Sequence, residues 1–323
     1  MKRIHSLDIL KLFAMFLVVW GHAIQEFVSA EPNENIAYRV IYSFHMPLFM
    51  MVAGYFASLS LKVNFFQMIV KKGRQLLLPI VSWAAICVLC SFFGLRYMSE
   101  HSFPWELNHL LWFLKGLFVC YVFFYIIMKL PHKYHISLIG GAITLIISQL
   151  INIYQLPTLY PAFLLGFIIS KFRKNFDDHV KPIILISLII WVIYVIAVEK
   201  HWIASIPFSI PMQNRIIEII GKLSGALLYF SLFSFLFAKE SHSKFTLAIG
   251  KWGQLTMGIY ILQTFILERV LSHLINFDYL SPAIFTFVVS PILSMAIMMI
   301  CIAIVKIIKL NRYSAFLLLG ERI

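Results

Sequence analysis

Apolar residues along this chain come in long runs broken by short polar or charged clusters, and most runs approach the roughly 20 residues a helix needs to cross a bilayer. The runs fall at 7–27, 40–60, 76–94, 109–129, 136–151, 157–170, 182–198, 217–237, 247–271 and 283–308. The fifth and sixth are short enough to form a re-entrant pair. The pattern predicts an all-α fold: a polytopic transmembrane helix bundle of about ten spans. The longest loops, 95–108 and 199–216, cannot house a soluble domain, so residues 1–323 read as one integral-membrane domain. Any chemistry must then occur inside the bundle or at its mouths.

Composition agrees. Of 323 residues, 61% are hydrophobic and 13% charged, with a mean hydropathy of +0.88, which excludes an ordinary soluble domain. The net charge of +13 would ordinarily raise nucleic acid as a partner. Its distribution removes that reading. With the N-terminus inside, the even loops and the tail hold Lys62, Lys71, Lys72, Arg74, Lys129, Lys133, Lys171, Arg173, Lys174, Lys181, Lys239, Lys244, Lys309, Arg312 and Arg322. The odd loops mix Arg39, Arg96, Lys200 and Arg215 with Glu31, Glu34, Glu100, Glu106 and Glu199. The positive-inside rule then puts both termini in the cytoplasm and the chain in a cell membrane, a bacterial inner membrane being the expectation. Lys2 and Arg3 resemble the start of a signal peptide, but the following run is too long, carries Lys11 and lacks a small-x-small cleavage site. Helix one should therefore be retained. Cys87, Cys90, Cys120 and Cys301 all sit in apolar runs and read as packing residues. No second ligand pair accompanies Cys87 and Cys90, so no metal is expected.

The first run carries the clearest sign of chemistry. Lys11 and His22 are eleven residues apart, which on a helix puts them about 20° apart around the axis and about 16 Å apart along it. Asp8 and Glu26 extend the same stripe at helical spacing. A Lys or Asp facing lipid at the bilayer centre costs about 2.5–3.5 kcal/mol, so this face should look into protein or a wet cavity. Asp8, Lys11 and Glu26 also admit a plainer reading, as end residues that snorkel to the interfaces. At the start of the second run, His45 in Phe44-His-Met-Pro-Leu-Phe49 enters from the side that His22 reaches. Two imidazoles facing one compartment suit general-base work. The alternative for His45 is a helix-start residue beside Pro47, whose missing N–H costs nothing in a first turn. No third ligand of matching spacing turns the pair into a zinc site.

These segments resemble the integral-membrane acyltransferase 3 family, and within it the fucose 4-O-acetylase-like branch. The resemblance rests on Lys11-x10-His22, similar to the family's Arg-x10-His, and on Phe44-His-Met-Pro-Leu-Phe49 followed by Ala53-Gly-Tyr55. It extends through the basic segment Lys71-Lys-Gly-Arg74, Leu111-Trp-Phe-Leu114, Phe163-Leu-Leu-Gly166 and Gly258-Ile-Tyr-Ile-Leu262, from about residue 3 to about 270. Three positions depart from the family pattern. Lys11 stands for Arg and loses the planar fork; Ala53 stands where Ser is frequent, and Gln263 where His is frequent.

The resemblance implies transfer of an acyl group, usually acetyl from cytoplasmic acetyl-CoA, to a hydroxyl of an outward-facing glycan or lipid-linked sugar. Acetyl-CoA, or a related acyl-CoA, would be a co-substrate, and no bound cofactor is expected. His22 would be the general base, with Glu26 orienting it; an acyl-His22 intermediate is the other route. Lys11, Lys71 and Arg74 would meet the phosphates of the donor, although positive-inside charge alone also puts Lys71 and Arg74 in a cytoplasmic loop. His45, Trp112 and Tyr260 would support the acceptor site, as would His101, His109, His201 and His273; Trp112 and Tyr260 equally suit interfacial anchors. Two competitors keep the fold. A secondary transporter or exporter would use Lys11, His22 and Glu26 as a polar pathway, against which the later runs carry almost no buried charge. A catalytically silent envelope component would need neither Lys11 nor His22.

Overall fold

A computed structural model describes residues 4–28, 31–93, 102–130, 155–200, 202, 212–237, 244–277 and 279–322. In chain order the helices are α1 (His5–Phe27), α2 (Ile36–Tyr42), α3 (His45–Tyr55), α4 (Phe65–Leu76), α5 (Leu78–Phe92), α6 (Phe103–His109) and α7 (Trp112–Lys129). There follow α8 (Leu156–Lys171), α9 (Arg173–Asp178), α10 (Val180–Glu199), α11 (Met212–Leu236), α12 (Lys244–Trp252), α13 (Thr256–Thr264), α14 (Ser290–Ile308) and α15 (Arg312–Leu319). Two π-helical stretches, Phe265–Leu271 and Phe285–Val289, lie between α13 and α14. The described residues contain no strand, so the all-α expectation holds. In a bilayer a helix satisfies its own backbone without neighbours.

Seven helical segments among the described residues are long and apolar enough to cross a membrane. α8, with 16 residues, is shorter, and the expected run 136–151 lies outside the described residues, as do His101 and His201. Three details differ from the pattern reading. The basic segment with Lys71, Lys72 and Arg74 is not a loop but part of α4, started by a capping box between Asn64 and Gln67 and seated on the fully buried Met68. The loop 95–108 contains α6, opened by Ser102 with a proline in its first turn. The run 247–271 is not one helix; it breaks after α12 at Gly253, where a Cβ would collide with the Asp8 carbonyl.

The chain forms two compact units. One comprises residues 1–14, 33–59 and 126–254; the other comprises 15–32, 60–125 and 255–323. The division falls within α1, which is itself uninterrupted.

The first unit is built on a close crossing of α3 and α8. A Cβ on Gly54 would strike the carbonyl of Phe163, and one on Gly166 would strike that of Met51. Lipid tails are as apolar as Leu, so close backbone approach through small residues is what drives such pairs. The motifs Ala53-Gly-Tyr55 and Phe163-Leu-Leu-Gly166 are thus two halves of one packing device. An aromatic cluster continues it: Phe44 stacks on Tyr229 at 4.2 Å, and Trp191 Nε1 donates to Ser43 Oγ at 2.9 Å.

In the second unit α13 packs on α14, with Gly258 against Val305. α15 closes on α5, where Trp83 Nε1 donates to the Leu318 carbonyl at 3.0 Å and its ring lies 4.4 Å from that of Phe265.

Candidate active site

His22 lies in the C-terminal half of α1, in the second unit. Two residues earlier Trp20 fixes the rotation of this half: its Nε1 donates to the Thr286 carbonyl at 3.1 Å and to Ser290 Oγ at 2.9 Å. Thr286 belongs to the second π-helical stretch. With Trp20 held, His22 points its Nδ1 at Glu268, 3.1 Å from Oε1, with the two side chains 18% and 27% exposed. The contact is close but not aligned as a hydrogen bond. Catalytic contacts are frequently misaligned without substrate and tighten when it binds. A carboxylate at Nδ1 favours the tautomer with the proton there, leaving the Nε2 lone pair free to accept a proton.

Glu268 sits in the π-helical stretch Phe265–Leu271 that continues α13. Such stretches recur at functional positions because the widened turn alters which side chains face a neighbour. The next residue, Arg269, donates from Nη2 to Glu106 Oε2 at 3.0 Å, and Glu106, on α6, is completely buried. Glu106, read from the sequence as a loop charge, is not solvated, and the run 247–271 carries the partly buried charges Glu268 and Arg269. One buried pair holds down the π-helical turn whose other charge meets His22.

Tyr260 belongs to the same wall. It is buried, its hydroxyl oxygen takes a hydrogen bond from the backbone of Phe113 in the first turn of α7, and it lies within electrostatic reach of Glu268. That turn is presented by Leu111, which takes a left-handed φ of 50° between α6 and α7, a conformation that costs a non-glycine residue about 1–2 kcal/mol. The tight turn lets α6 supply Glu106 and α7 supply Phe113 to one segment. Gln263, also fully buried, donates from Nε2 to Thr264 Oγ1 at 2.9 Å, while its Oε1 has no partner among the described residues.

The other residues singled out from the sequence fall as follows. Glu26 is on the His22 face, within electrostatic reach of His22, Glu268 and Arg269, and accepts from Gln25 at 3.3 Å. The carboxylate touching the imidazole, however, is Glu268. Trp112 is half-buried at the start of α7, with its ring 6.2 Å from that of Phe113. On α4, Lys71 is exposed and Arg74 half-buried with an unpartnered Nε, while Lys72 sits 3.6 Å over the Tyr121 ring. His109 and His273 are exposed. In the first unit, Lys11 pairs with the buried Asp8 at 2.7 Å. His45 is buried there at the start of α3, its Nδ1 donating to the Ile41 carbonyl at 2.7 Å. No group of three metal-ligating side chains occurs among the described residues.

An acyltransferase domain profile, that of acyltransferase 3, matches residues 4–307. The chain belongs to the acyltransferase 3 family. Among curated proteins, this acyltransferase 3 member is similar to Nodulation protein NolL of Sinorhizobium fredii, with 28% identity over 177 residues, covering 51% of this chain and 48% of the relative. It is also similar to Nodulation protein NolL of Mesorhizobium japonicum, at 26% identity over 178 residues and the same coverage. The alignments thus span about half the length of these relatives. No solved structure matches the chain. Family membership accompanies seven helical segments, among the described residues, that are long and apolar enough to cross a membrane.

Sequence reasoning passed over Glu268, Arg269 and the burial of Glu106. One signal was available: Glu268 and Arg269 are adjacent charges near the end of an otherwise apolar run.

Proposed function

We propose that this acyltransferase moves an acetyl or other small acyl group from acyl-CoA to a hydroxyl of a glycan or lipid-linked sugar, with His22 as general base and Glu268 holding its ring. The contact between His22 Nδ1 and Glu268 Oε1 at 3.1 Å carries this reading. Nε2 takes the proton of the acceptor hydroxyl as its oxygen attacks the thioester carbonyl. The C–S bond then breaks and the imidazolium returns the proton to the leaving thiolate, giving an O-acyl sugar and free CoA. The Glu268 carboxylate stabilises the imidazolium that forms between the two steps, as the acid of a triad does. Such a base typically supplies about 10²–10⁴-fold.

Lys11, Lys71 and Arg74 are the donor-phosphate candidates; Lys72 is engaged by an aromatic ring and is not among them. Glu26 tunes the charge around His22, and Trp112 and Tyr260 serve the acceptor side as supporting residues. The loop charges support both termini in the cytoplasm, and a bacterial inner membrane is the location proposed. The polar network spread over α1, α6 and the π-helical stretch would also suit a transporter, but membership in an acyltransferase family favours transfer.

The test is release of free thiol from acetyl-CoA by purified protein supplied with a mixture of envelope glycans. Turnover by the wild type, lost in a stably folded His22→Ala variant, is the expected result. Undiminished turnover in His22→Ala, or a wild type that neither binds acetyl-CoA nor turns it over, would reject the mechanism.

A further inference from the structure

The first unit contains a cleft that the proposed reaction does not use. It encloses about 90 Å³ and lies among the second half of α2, the N-terminal part of α11 and the C-terminal end of α10. Its charged lining is two ion pairs. The Arg39 guanidinium meets Glu199, and its Nη1 also donates to the Asn33 carbonyl at 2.6 Å; Lys222 meets Glu218 at 2.5 Å. Arg39 Nε is buried and has no hydrogen-bond partner among the described residues.

Tyr42 and Tyr194 supply aromatic surface to the cleft. Tyr42 is held by stacking on Tyr38 at 3.9 Å and by the edge contact with His45 at 4.6 Å. Tyr194 occupies the space above Gly221, where a Cβ would collide with its ring. Rigid aromatic faces beside fixed donors and acceptors make a recognition surface without a large ordering cost.

Charge selects the ligand class. Two cations and two carboxylates leave no net charge, so an anion such as a CoA phosphate meets Glu199 and Glu218, and a cation meets Arg39 and Lys222. An uncharged polyol has no such conflict. Its hydroxyls donate to the carboxylates and accept from the guanidinium and ammonium, while its C–H faces lie on the tyrosines. Under the orientation read from the loop charges, these helix ends face outward.

We propose that this cleft binds an uncharged sugar unit of the acceptor glycan. The inference rests on the acyltransferase reading for the word acceptor, and on the cleft alone for the sugar. Full-length protein in nanodiscs prepared free of sugar-headed detergent can be probed by saturation-transfer NMR. Methyl glucoside and methyl fucoside serve as neutral probes, with glucose 6-phosphate as the charged comparison.

Transfer to a neutral glycoside is expected, with weaker transfer to the phosphate. Glu199→Gln and Glu218→Gln should each weaken glycoside binding about tenfold, the effect of losing one charge-assisted hydrogen bond. Glu218→Gln guards against misfolding, because it breaks only a pair within one helix turn. No transfer to either glycoside, transfer indifferent to both substitutions, or preference for the phosphate would overturn the proposal. The two readings fail separately: acyl turnover without glycoside binding removes the sugar subsite alone, and glycoside binding without acyl turnover removes the transferase mechanism alone.

Discussion

Replacing Glu268 by Gln keeps the size of the side chain and removes the charge opposite His22 Nδ1. At 3.1 Å and an effective dielectric of about 20, an imidazolium and a carboxylate attract by about 5 kcal/mol. Both side chains keep some solvent access, 18% and 27%, and Gln retains a carbonyl acceptor. About half the attraction, or 2–3 kcal/mol, should therefore be lost from the step that forms the imidazolium. This corresponds to about a 100-fold fall in kcat with little change in KM for acyl-CoA. The assay is thiol release under saturating donor, with far-UV circular dichroism to confirm the helical content of the variant. Glu26→Gln provides the contrast: it lacks direct contact with the ring and should change kcat by no more than about fivefold. A Glu268→Gln enzyme within threefold of wild type, beside an inactive His22→Ala, would refute the orienting role. A larger effect from Glu26→Gln than from Glu268→Gln would move that role to Glu26.

The pair beneath the π-helical stretch gives a stability prediction: Arg269→Met removes the opposite charge beside the fully buried Glu106 and should cost about 3–5 kcal/mol, whereas Arg269→Met combined with Glu106→Leu should recover most of it in thermal unfolding. Gly54→Ala and Gly166→Ala each drive a methyl into a backbone carbonyl, and should reduce the yield of folded, detergent-soluble protein far more than Gly73→Ala, where the added Cβ meets nothing. Lys71→Gln or Arg74→Gln should raise KM for acyl-CoA without lowering kcat, while Lys72→Gln, which loses a cation–π contact with Tyr121, should cost about 1 kcal/mol of stability and leave that KM unchanged. A uniform effect of all three on KM would point to general surface charge instead.

Hydropathy alone determined that the protein is a set of membrane-crossing helices, because a helix in lipid satisfies its backbone within its own segment and needs only apolar side chains to be stable there. Periodicity within α1 also put His22, Lys11 and Glu26 on one face, a relation that depends only on residues a few turns apart. The same local reading could not tell a packing motif from a catalytic one: Ala53-Gly-Tyr55 and Phe163-Leu-Leu-Gly166 became intelligible once Gly54 and Gly166 were seen to admit each other's helix backbones. Nor could it place the charges that meet across the chain. Glu106 and Arg269 are 163 residues apart, and nothing near Glu268 in sequence marks it, rather than Glu26, as the neighbour of the imidazole. Only tertiary structure decided those pairings, because a buried charge is stabilised by whichever opposite charge the packing brings within hydrogen-bond distance, and packing between distant helices is set by the shapes of all the side chains between them.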